Sequence, residues 1–456
     1  MILPKPTLQL FFVCFLVIAA TTSFSLWAQR PETEWQAGAA SVDITPQTPL
    51  WLAGYAARTK AAEGTLLPLK AKALALKDAA GHCAVVVTTD ICGYPIEVAD
   101  RIHSKVEERF GLTKENMILS ASHTHSGPVV GASLKCMYSF DAEEEAKLIA
   151  YTDRFIEDIV TLVGTSLDRL EAAHLLSGNG TARFAVNRRN NVESALKPTS
   201  DLEGPNDHAV PVLQVLRSDG SPMAVLFGYA CHATVLDGYE WSGDYPGYAQ
   251  EALENQYPGM TALFFAGCGA DQNPLPRRTV ALARQYGVTL AAAVTAVLEG
   301  GAMTPQPAAL TTLYKEIPLD LESVPDEAAL RERIANTGGY EQQCTEALLN
   351  RVLQDGALAP QYPYPVQSWK IGDQWLVVLG GEVAVDYSIA IKEQLGQQVF
   401  VMAYSNDLMA YIPSERIREE GGYEGAAAQI IFGLPSAWAP GLQNRILNEV
   451  WKQTKP

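Results

Sequence analysis

The sequence predicts an α/β fold with mixed β-sheets built from βαβ units, and a metal site at the carboxyl ends of the strands. Three times along the chain, an apolar or β-branched run is followed by a helical segment and then by a second such run. A strand, a helix and another strand in that order predict two parallel strands. The paired runs are residues 85–89 with 117–121, 224–230 with 261–266, and 375–379 with 399–404.

The beginning of the chain is typical of a secretory signal peptide. Lys5 precedes an apolar run over residues 8–20 that only Gln9 interrupts, and small and polar residues follow as far as Ala28. We therefore expect a signal peptide at residues 1–28 and a secreted or periplasmic protein. A membrane-spanning helix needs about 20 apolar residues, so an uncleaved anchor is the less favoured alternative. No transmembrane helix is expected in the mature chain.

Composition narrows the range of partners. The formal net charge of −17 argues against nucleic acid or an anionic membrane surface as a partner. Of the seven cysteines, Cys14 lies in the apolar run, and the others form no Cys-x-x-Cys pair. They are too sparse for a disulfide scaffold, although an exported chain has room for one or two bridges. The sequence defines neither their pairing nor the oligomeric state.

Local patterns predict the other elements. Apolar residues recur at every fourth position over residues 98–110, and Gly111 follows, which predicts an amphipathic helix with a C-terminal stop. Two apolar runs flank the turn Asp78-Ala79-Ala80-Gly81 and predict a hairpin. Further predicted elements are a strand at 37–46, a mostly helical segment at 143–176, a loop at 183–191, and helices at 326–353 that are broken at Gly338-Gly339.

Residues able to bind a metal follow the predicted parallel strands. Because ligands bind beyond the carboxyl ends of such strands, we expect His123, His232, Asp271 and Glu382 to lie close together. His125 projects on the same side as His123, since alternate residues of an extended segment share a face. Imidazole is a common ligand of hydrolytic metals. A polar loop is the alternative for an isolated His-x-His, and Asp271 is either a site residue or part of a loop.

With these residues placed, the chain resembles the catalytic domain of the neutral/alkaline (non-lysosomal) ceramidases. The resemblance covers about residues 36–430, within a single hydrolase domain expected at 36–456. The motifs agree in order along the chain: Gly38 and Asp43-Ile44-Thr45-Pro46, His123-Thr124-His125-Ser126-Gly127-Pro128, Asn187-Arg188, His232, Ser242-Gly243-Asp244 with Gly247-Tyr248, Gly381-Glu382, Asn406, Tyr411, and Tyr423-Glu424-Gly425.

The resemblance implies a zinc-dependent hydrolase that cleaves an N-acyl bond by zinc-activated water. Carried onto this chain, the zinc ligands are His123, His232, Glu382 and Tyr411. The residues implied around the reacting amide are His125, Arg188 and Tyr423. The expected partner is a small-molecule or lipid amide.

Two departures from the family pattern affect which substrate we expect. Gln272 stands where ceramidases have their catalytic Ser, and the β-rich C-terminal domain of ceramidases is missing after Pro456. We therefore expect Asp271 and Gln272 to face the substrate and the chemistry to rest on zinc-activated water. One alternative is a zinc hydrolase of this fold that acts on a polar amide, ester or glycoside-type substrate. Another is a binding protein on this fold without turnover.

Overall fold

The computed structural model describes residues 34–195 and 197–455. The signal peptide expected at residues 1–28 lies outside them. The strands are β1 Trp35–Asp43, β2 Gly64–Thr65, β3 Lys70–Lys77, β4 Cys83–Thr89, β5 Met117–Ala121, β6 Glu171–Thr181, β7 Ala185–Asn187, β8 Ala209–Arg217, β9 Pro222–Tyr229, β10 Glu240–Trp241, β11 Thr261–Ala266, β12 Gln272–Pro274, β13 Thr304–Gln306, β14 Leu310–Asp320, β15 Gln361–Ile371, β16 Gln374–Leu379, β17 Glu382–Val383, β18 Phe400–Met402 and β19 Tyr411–Ile412.

The α-helices alternate with these strands. They are α1 Ile96–Phe110, α2 Ala142–Asp168, α3 Asp244–Gln256, α4 Val280–Glu299, α5 Glu327–Asn336, α6 Gly339–Asp355, α7 Val385–Leu395, α8 Glu415–Glu420, α9 Gly422–Gly425 and α10 Leu442–Gln453. From Glu34 onward, the chain groups as one structural unit.

A nine-stranded mixed sheet forms the centre of the fold. Its strand order is β11-β9-β8-β6-β1-β3-β4-β5, and β13 also pairs with β6. The two outermost pairs, β11 with β9 and β4 with β5, are parallel, whereas β3 and β4 form the hairpin around residues 78–81. The predicted α/β class, the hairpin and both parallel pairs are confirmed.

A second sheet, β14-β15-β16-β18, packs face to face against the first. Its β16 and β18 are the third predicted parallel pair, which is also confirmed. Alternate side chains of β3 explain the layering. Leu74 and Leu76 pack in one buried cluster with Trp369 of β15, whereas Ala73 and Ala75 pack with α1 and α2 on the opposite face. Helices α3 and α4 cover the rest of that outer face, and α7 and α10 cover the second sheet.

Two sequence-based boundaries are wrong. Helix α2 ends at Asp168, and residues 171–176, expected to be helical, belong to strand β6. These residues pair with β8 and β13, and side chains such as Ala173 and Leu175 alternate into the core, so sheet pairing decides the conformation of this segment. The expected loop at 183–191 contains β7, which pairs with β12.

The carboxyl ends of β5 and β18 meet where the two sheets join. The backbone N–H of Asn406 donates to the Leu119 carbonyl oxygen at 2.7 Å, and the Leu119 N–H donates to Asn406 Oδ1 at 3.1 Å. Ser120 forms a bridge with Ser405. These bonds bring residues that are far apart in the sequence to one edge of the molecule.

Among the described helices, α4 is long and apolar enough to cross a membrane by length and composition alone. One of its faces, which includes Leu290 and Val294, is buried in the same cluster as residues of α3 and the large sheet. It therefore also fits the description of a core helix.

A disulfide joins two distant parts of the chain. Cys136, in a short helix before α2, is bonded to Cys344 of α6 across 208 residues of sequence. Cys83, Cys92, Cys231 and Cys268 are free.

We expect the double substitution Cys136→Ser with Cys344→Ser to lower the free energy of unfolding. A disulfide restricts the unfolded chain, and its removal typically costs about 2–5 kcal/mol. Urea denaturation of wild type and variant measures the difference. A reductant should lower the wild-type midpoint and leave the variant unchanged. Identical midpoints for the oxidised, reduced and double-serine proteins would contradict a stabilising bridge.

Candidate metal centre

His123 leaves the end of β5 in an unusual backbone conformation. Its φ is 59°, in the left-handed region that costs a residue with a side chain about 1–2 kcal/mol. The imidazole Nδ1 lies 2.6 Å from the carbonyl oxygen of Cys92, and Nε2 lies 3.3 Å from Oε2 of Glu382. The strained turn therefore aims the ring at Glu382.

His232 approaches the same carboxylate from the end of β9. Its Nδ1 lies 2.6 Å from the carbonyl oxygen of Gly269, and its Nε2 lies 3.0 Å from Oε2 of Glu382. Donation of Nδ1–H to a backbone carbonyl sets the tautomer and orientation of a metal-binding imidazole. In both histidines Nε2 is thus presented to the centre, and the ligand atoms of His123, His232 and Glu382 lie within 4.8 Å of one another.

Burial makes the charges of this group interdependent. Burial alone would lower the pKa of His123, but the Glu382 carboxylate outweighs it and raises that pKa well above its usual range. Burial would raise the pKa of Glu382, yet His123 and His232 hold it well below its usual range. Burial and the charge of Arg188 lower the pKa of His232 to about 4. The pKa of each of these groups is therefore set by its charged neighbours as well as by burial.

Glu382 and Tyr411 are neighbours in a two-stranded parallel sheet. They are direct partners in the pairing of β17 with β19, and partners in a parallel ladder project on the same face. Gly381 precedes Glu382 with a φ of 73°, and a Cβ there would lie 2.7 Å from the Ala410 carbonyl oxygen. A glycine is therefore required for Glu382 to enter the site. Burial is the main cause that raises the pKa of Tyr411 well above its usual range, and the negative charge of Glu382 raises it further.

His125 lies beside the group, with its Nε2 3.1 Å from Nε2 of His123. Its Nδ1 is buried and finds no partner among the described residues. Gly54 makes room for the ring, because a Cβ there would lie 2.4 Å from its Cγ and Nδ1. Burial and the two neighbouring imidazoles lower the pKa of His125 well below its usual range, which keeps the ring neutral.

Arg188 connects Tyr411 to the surface. Its Nη2 donates to the Tyr411 hydroxyl at 3.1 Å, and its Nε donates to Glu424 at 2.8 Å. Glu424 is buried and also accepts from Arg189 at 2.7 Å. Glu424 therefore pairs with both arginines, Arg189 pairs with Glu420 as well, and the Arg188 guanidinium is held against Tyr411.

Asp271 and Gln272 are buried in supporting contacts. The two carboxylate oxygens of Asp271 accept from Asn187 Nδ2 at 2.8 Å and from the backbone N–H of Val385, the first residue of α7, at 2.9 Å. Gln272 donates from Nε2 to the Pro205 carbonyl oxygen at 3.1 Å. Asp271 thus lies outside the histidine group, although its carbonyl oxygen accepts from the backbone N–H of Arg188 at 2.8 Å. Its expected catalytic role stays a prediction.

A cavity of about 570 Å³ borders the site. Tyr423 lines it with 48% of its surface exposed, and its ring centroid lies 5.4 Å from that of Tyr411. Seven of its nine lining residues are polar or charged, and the full lining is Arg188, Arg189, Asn191, Val192, Glu193, Asn273, Leu275, Tyr423 and Glu424. The cavity therefore meets the candidate metal centre at the contact between Tyr411, Tyr423 and Arg188.

Sequence reasoning missed the roles of two residues of the site. Glu424 stands in the motif Tyr423-Glu424-Gly425, but its pairing with Arg188 and Arg189 was not predicted. Tyr404 gave no signal, because an aromatic residue that ends an apolar strand is normally a core residue. Its ring centroid lies 4.4 Å from that of His123.

Fold and site together define a class of α/β protein in which two imidazoles and a carboxylate meet at strand ends. This donor set is common in catalytic zinc sites. The family profile described as "Neutral/alkaline non-lysosomal ceramidase, N-terminal" matches residues 35–274, and the chain belongs to this family.

Individual relatives of this chain support its membership of the family. The chain is 26% identical over 246 residues to neutral ceramidase A of Dictyostelium discoideum, covering 51% of this chain and 33% of that protein. It is 27% identical over 273 residues to the neutral ceramidase of Pseudomonas aeruginosa, covering 56% and 39%. These matches span well under half of either relative. The crystal structure of neutral ceramidase from Pseudomonas aeruginosa aligns with a TM-score of 0.70 at 19% identity, over 92% of this chain and 73% of that one, so the two share a fold.

We expect purified protein to hold about one metal ion per chain and to lose it in His123→Ala and in His232→Ala, since each substitution removes a converging nitrogen. His125→Ala should keep the ion, because its ring approaches His123 rather than Glu382. Elemental analysis after gel filtration measures occupancy. His103→Ala, a buried histidine of α1, controls for general destabilisation. Full occupancy in all four variants would refute the site.

We also expect metal binding to release about one proton near neutral pH. The raised pKa of His123 means that this ring is protonated in the free protein, and a metal ligand must be neutral. Metal affinity should therefore rise with pH until that pKa is passed. Calorimetric titration in buffers of different ionisation enthalpy counts the protons. Affinity that is independent of pH, with no proton released, would show that His123 is not protonated in the metal-free protein.

Proposed function

We propose that the protein is an exported zinc-dependent amidohydrolase of the neutral ceramidase family that cleaves an N-acyl bond. The observation that carries the proposal is the convergence of His123 Nε2 and His232 Nε2 on Glu382 Oε2. Two nitrogens and a carboxylate oxygen suit zinc, which combines such ligands in catalytic sites. Membership of the family supports the same reaction class.

The chain would hold zinc through His123, His232 and Glu382, with Tyr411 as the proposed fourth ligand. When bound, zinc supplies a Lewis acid and lowers the pKa of water toward about 7. The carbonyl oxygens of Cys92 and Gly269 hold the two imidazoles in position.

His125 is the proposed proton carrier. Its lowered pKa keeps the ring neutral at neutral pH, so its unprotonated nitrogen can accept a proton from the attacking water. The same nitrogen then donates it to the departing amine. A positioned side chain in this role contributes typically 10²–10⁴-fold to the rate.

Arg188 and Tyr423 are proposed to bind the substrate next to the reacting amide. The Arg188 guanidinium is held by Glu424 and Tyr411, so little ordering is needed when a carbonyl oxygen arrives. A preorganised donor of this kind stabilises the negative charge that develops on that oxygen. Tyr423 closes the other side, where its exposed ring borders the cavity.

Export is supported by the bridge between Cys136 and Cys344. Structural disulfides persist in oxidising compartments and are rare in the cytosol. The protein is therefore proposed to act in the periplasm or outside the cell.

A second candidate keeps the zinc chemistry but changes the substrate to a polar amide, ester or glycoside-type compound. It is favoured by the cavity, where Arg188, Arg189 and Glu424 form ion pairs. An alkyl chain placed there would remove water from charged groups without replacing their hydrogen bonds, at a cost of several kcal/mol. A substrate with hydroxyl or amide groups would replace them.

We expect wild type to hydrolyse N-acyl amides only when metal is present. The assay compares a fluorescent ceramide with a panel of polar amides and esters, before and after chelation and zinc addition. Polar substrates should be preferred. His125→Ala should lose about 10²–10⁴-fold in turnover while retaining zinc, with His103→Ala as the matched control.

The variant Gln272→Ser tests whether restoring the serine of the ceramidases is enough to give ceramide hydrolysis. We expect no efficient ceramide hydrolysis from it, because Gln272 serves to hold the segment at Pro205 and a serine there lacks an activating base. If wild type binds zinc but hydrolyses no substrate in the panel, the proposal that the protein is an enzyme is refuted. Efficient ceramide hydrolysis by wild type would refute only the polar preference.

A further inference from the structure

Tyr404 occupies the junction of the segments that carry the candidate metal ligands. Its backbone N–H donates to the Gly381 carbonyl oxygen at 3.0 Å, and its carbonyl oxygen accepts from Ala121 N–H at 3.2 Å. The residue has a φ of 52°, which is a rare and strained conformation for a bulky side chain. The strain persists because bonds to both neighbouring segments hold the residue in place.

The strained backbone directs the Tyr404 ring into the metal centre. The ring centroid lies 4.4 Å from that of His123, with 34° between the planes, and 6.0 Å from that of His232 at 84°. Tyr404 therefore packs beside both imidazoles that converge on Glu382.

The Tyr404 hydroxyl is buried and has no hydrogen-bond partner among the described residues. Five other buried tyrosines do pair: Tyr151 with Ile44 O, Tyr229 with Ala182 O, Tyr245 with Cys231 O, Tyr364 with Gly380 O, and Tyr387 with Pro413 O. The hydroxyls of Tyr94, Tyr138 and Tyr248 are also unpaired in the described part of the chain, but among these unpaired tyrosines it is Tyr404 whose ring packs against His123 and His232. A buried polar group without a partner destabilises the folded state. The folded protein therefore bears this cost at a hydroxyl in the centre of its site.

This hydroxyl is available as a donor. A phenol has an ordinary pKa of about 10 and keeps its proton at neutral pH, so the Tyr404 hydroxyl can donate a hydrogen bond. A donor held ready without an acceptor is what stabilisation of a developing negative charge requires.

We propose that the Tyr404 hydroxyl donates a hydrogen bond to the substrate carbonyl oxygen as negative charge develops on it. This inference rests on the proposed amide hydrolysis. No proton is transferred, and the hydroxyl finds its partner only when substrate is present. Tyr404 is then a catalytic residue that acts on the same oxygen as Arg188.

Tyr404→Phe tests the proposal because it keeps the ring beside His123 and removes only the hydroxyl. We expect kcat to fall about 10²-fold, the loss typical of one such donor, with KM within about threefold. The zinc content should stay at the wild-type value. The Tm of the metal-free, substrate-free protein should be equal to or above that of wild type, because the substitution removes an unpaired buried hydroxyl.

Tyr151→Phe is the matched control. Its hydroxyl donates to the Ile44 carbonyl oxygen at 2.8 Å, on α2 and away from the metal centre. This variant should lose Tm and keep kcat, which is the opposite pattern. The two variants together separate a catalytic hydroxyl from a structural one.

Unchanged kcat in Tyr404→Phe would overturn the proposal, as would a lowered Tm together with lost zinc, since either result would make the hydroxyl structural. Both results require an active wild type. An inactive wild type, with zinc bound, instead refutes the proposed hydrolysis and the role of Tyr404 with it.

Discussion

The buried carboxylate of Glu382 is the constraint on which the rest of the site depends. An ionised carboxylate that is 3% exposed is tolerable only when it is paired. Two imidazoles provide the pairing, and the carbonyl oxygens of Cys92 and Gly269 hold each ring in place. These carbonyl groups lie on segments that follow β4 and β11, so the strand ends are as much a part of the site as the side chains. A divalent cation bound there would compensate the same carboxylate.

Much of the architecture follows from local sequence patterns. Apolar runs of strand length, separated by amphipathic segments, predicted the parallel pairs β4 with β5, β9 with β11 and β16 with β18, and all three occur. Parallel strands align their carboxyl ends, so His123, His232 and Glu382 were expected to approach one another, and they do. The apolar runs were sufficient for this prediction because each one identifies a strand by itself. The geometry of a parallel sheet then brings the residues at the strand ends together.

The other features of the fold and the site depend on contacts between distant residues, which no local sequence pattern contains. Residues 171–176 form a strand because β8 and β13 lie beside them, whereas their composition also suits a helix. Asp271 was expected to face the substrate, yet its carboxylate binds Asn187 and the start of α7, which are 84 and 114 residues away in sequence. The packing of one sheet on the other and the pairing of Glu424 with Arg188 are likewise set by tertiary structure. Local chemistry indicated that these groups need partners and left open which partners they find.

The proposed ligands come from two parts of the chain. His123 and His232 leave strands of the large sheet, whereas Glu382 and Tyr411 belong to the part of the chain that builds the second sheet, beyond the profile match that ends at residue 274. A chain still being synthesised therefore possesses both imidazoles well before it possesses the carboxylate. Capture of the proposed metal ion would then be a late step of folding, because it requires both parts of the chain to be in place. For a chain that crosses a membrane unfolded, the ion would be drawn from the compartment of destination rather than from the cytosol.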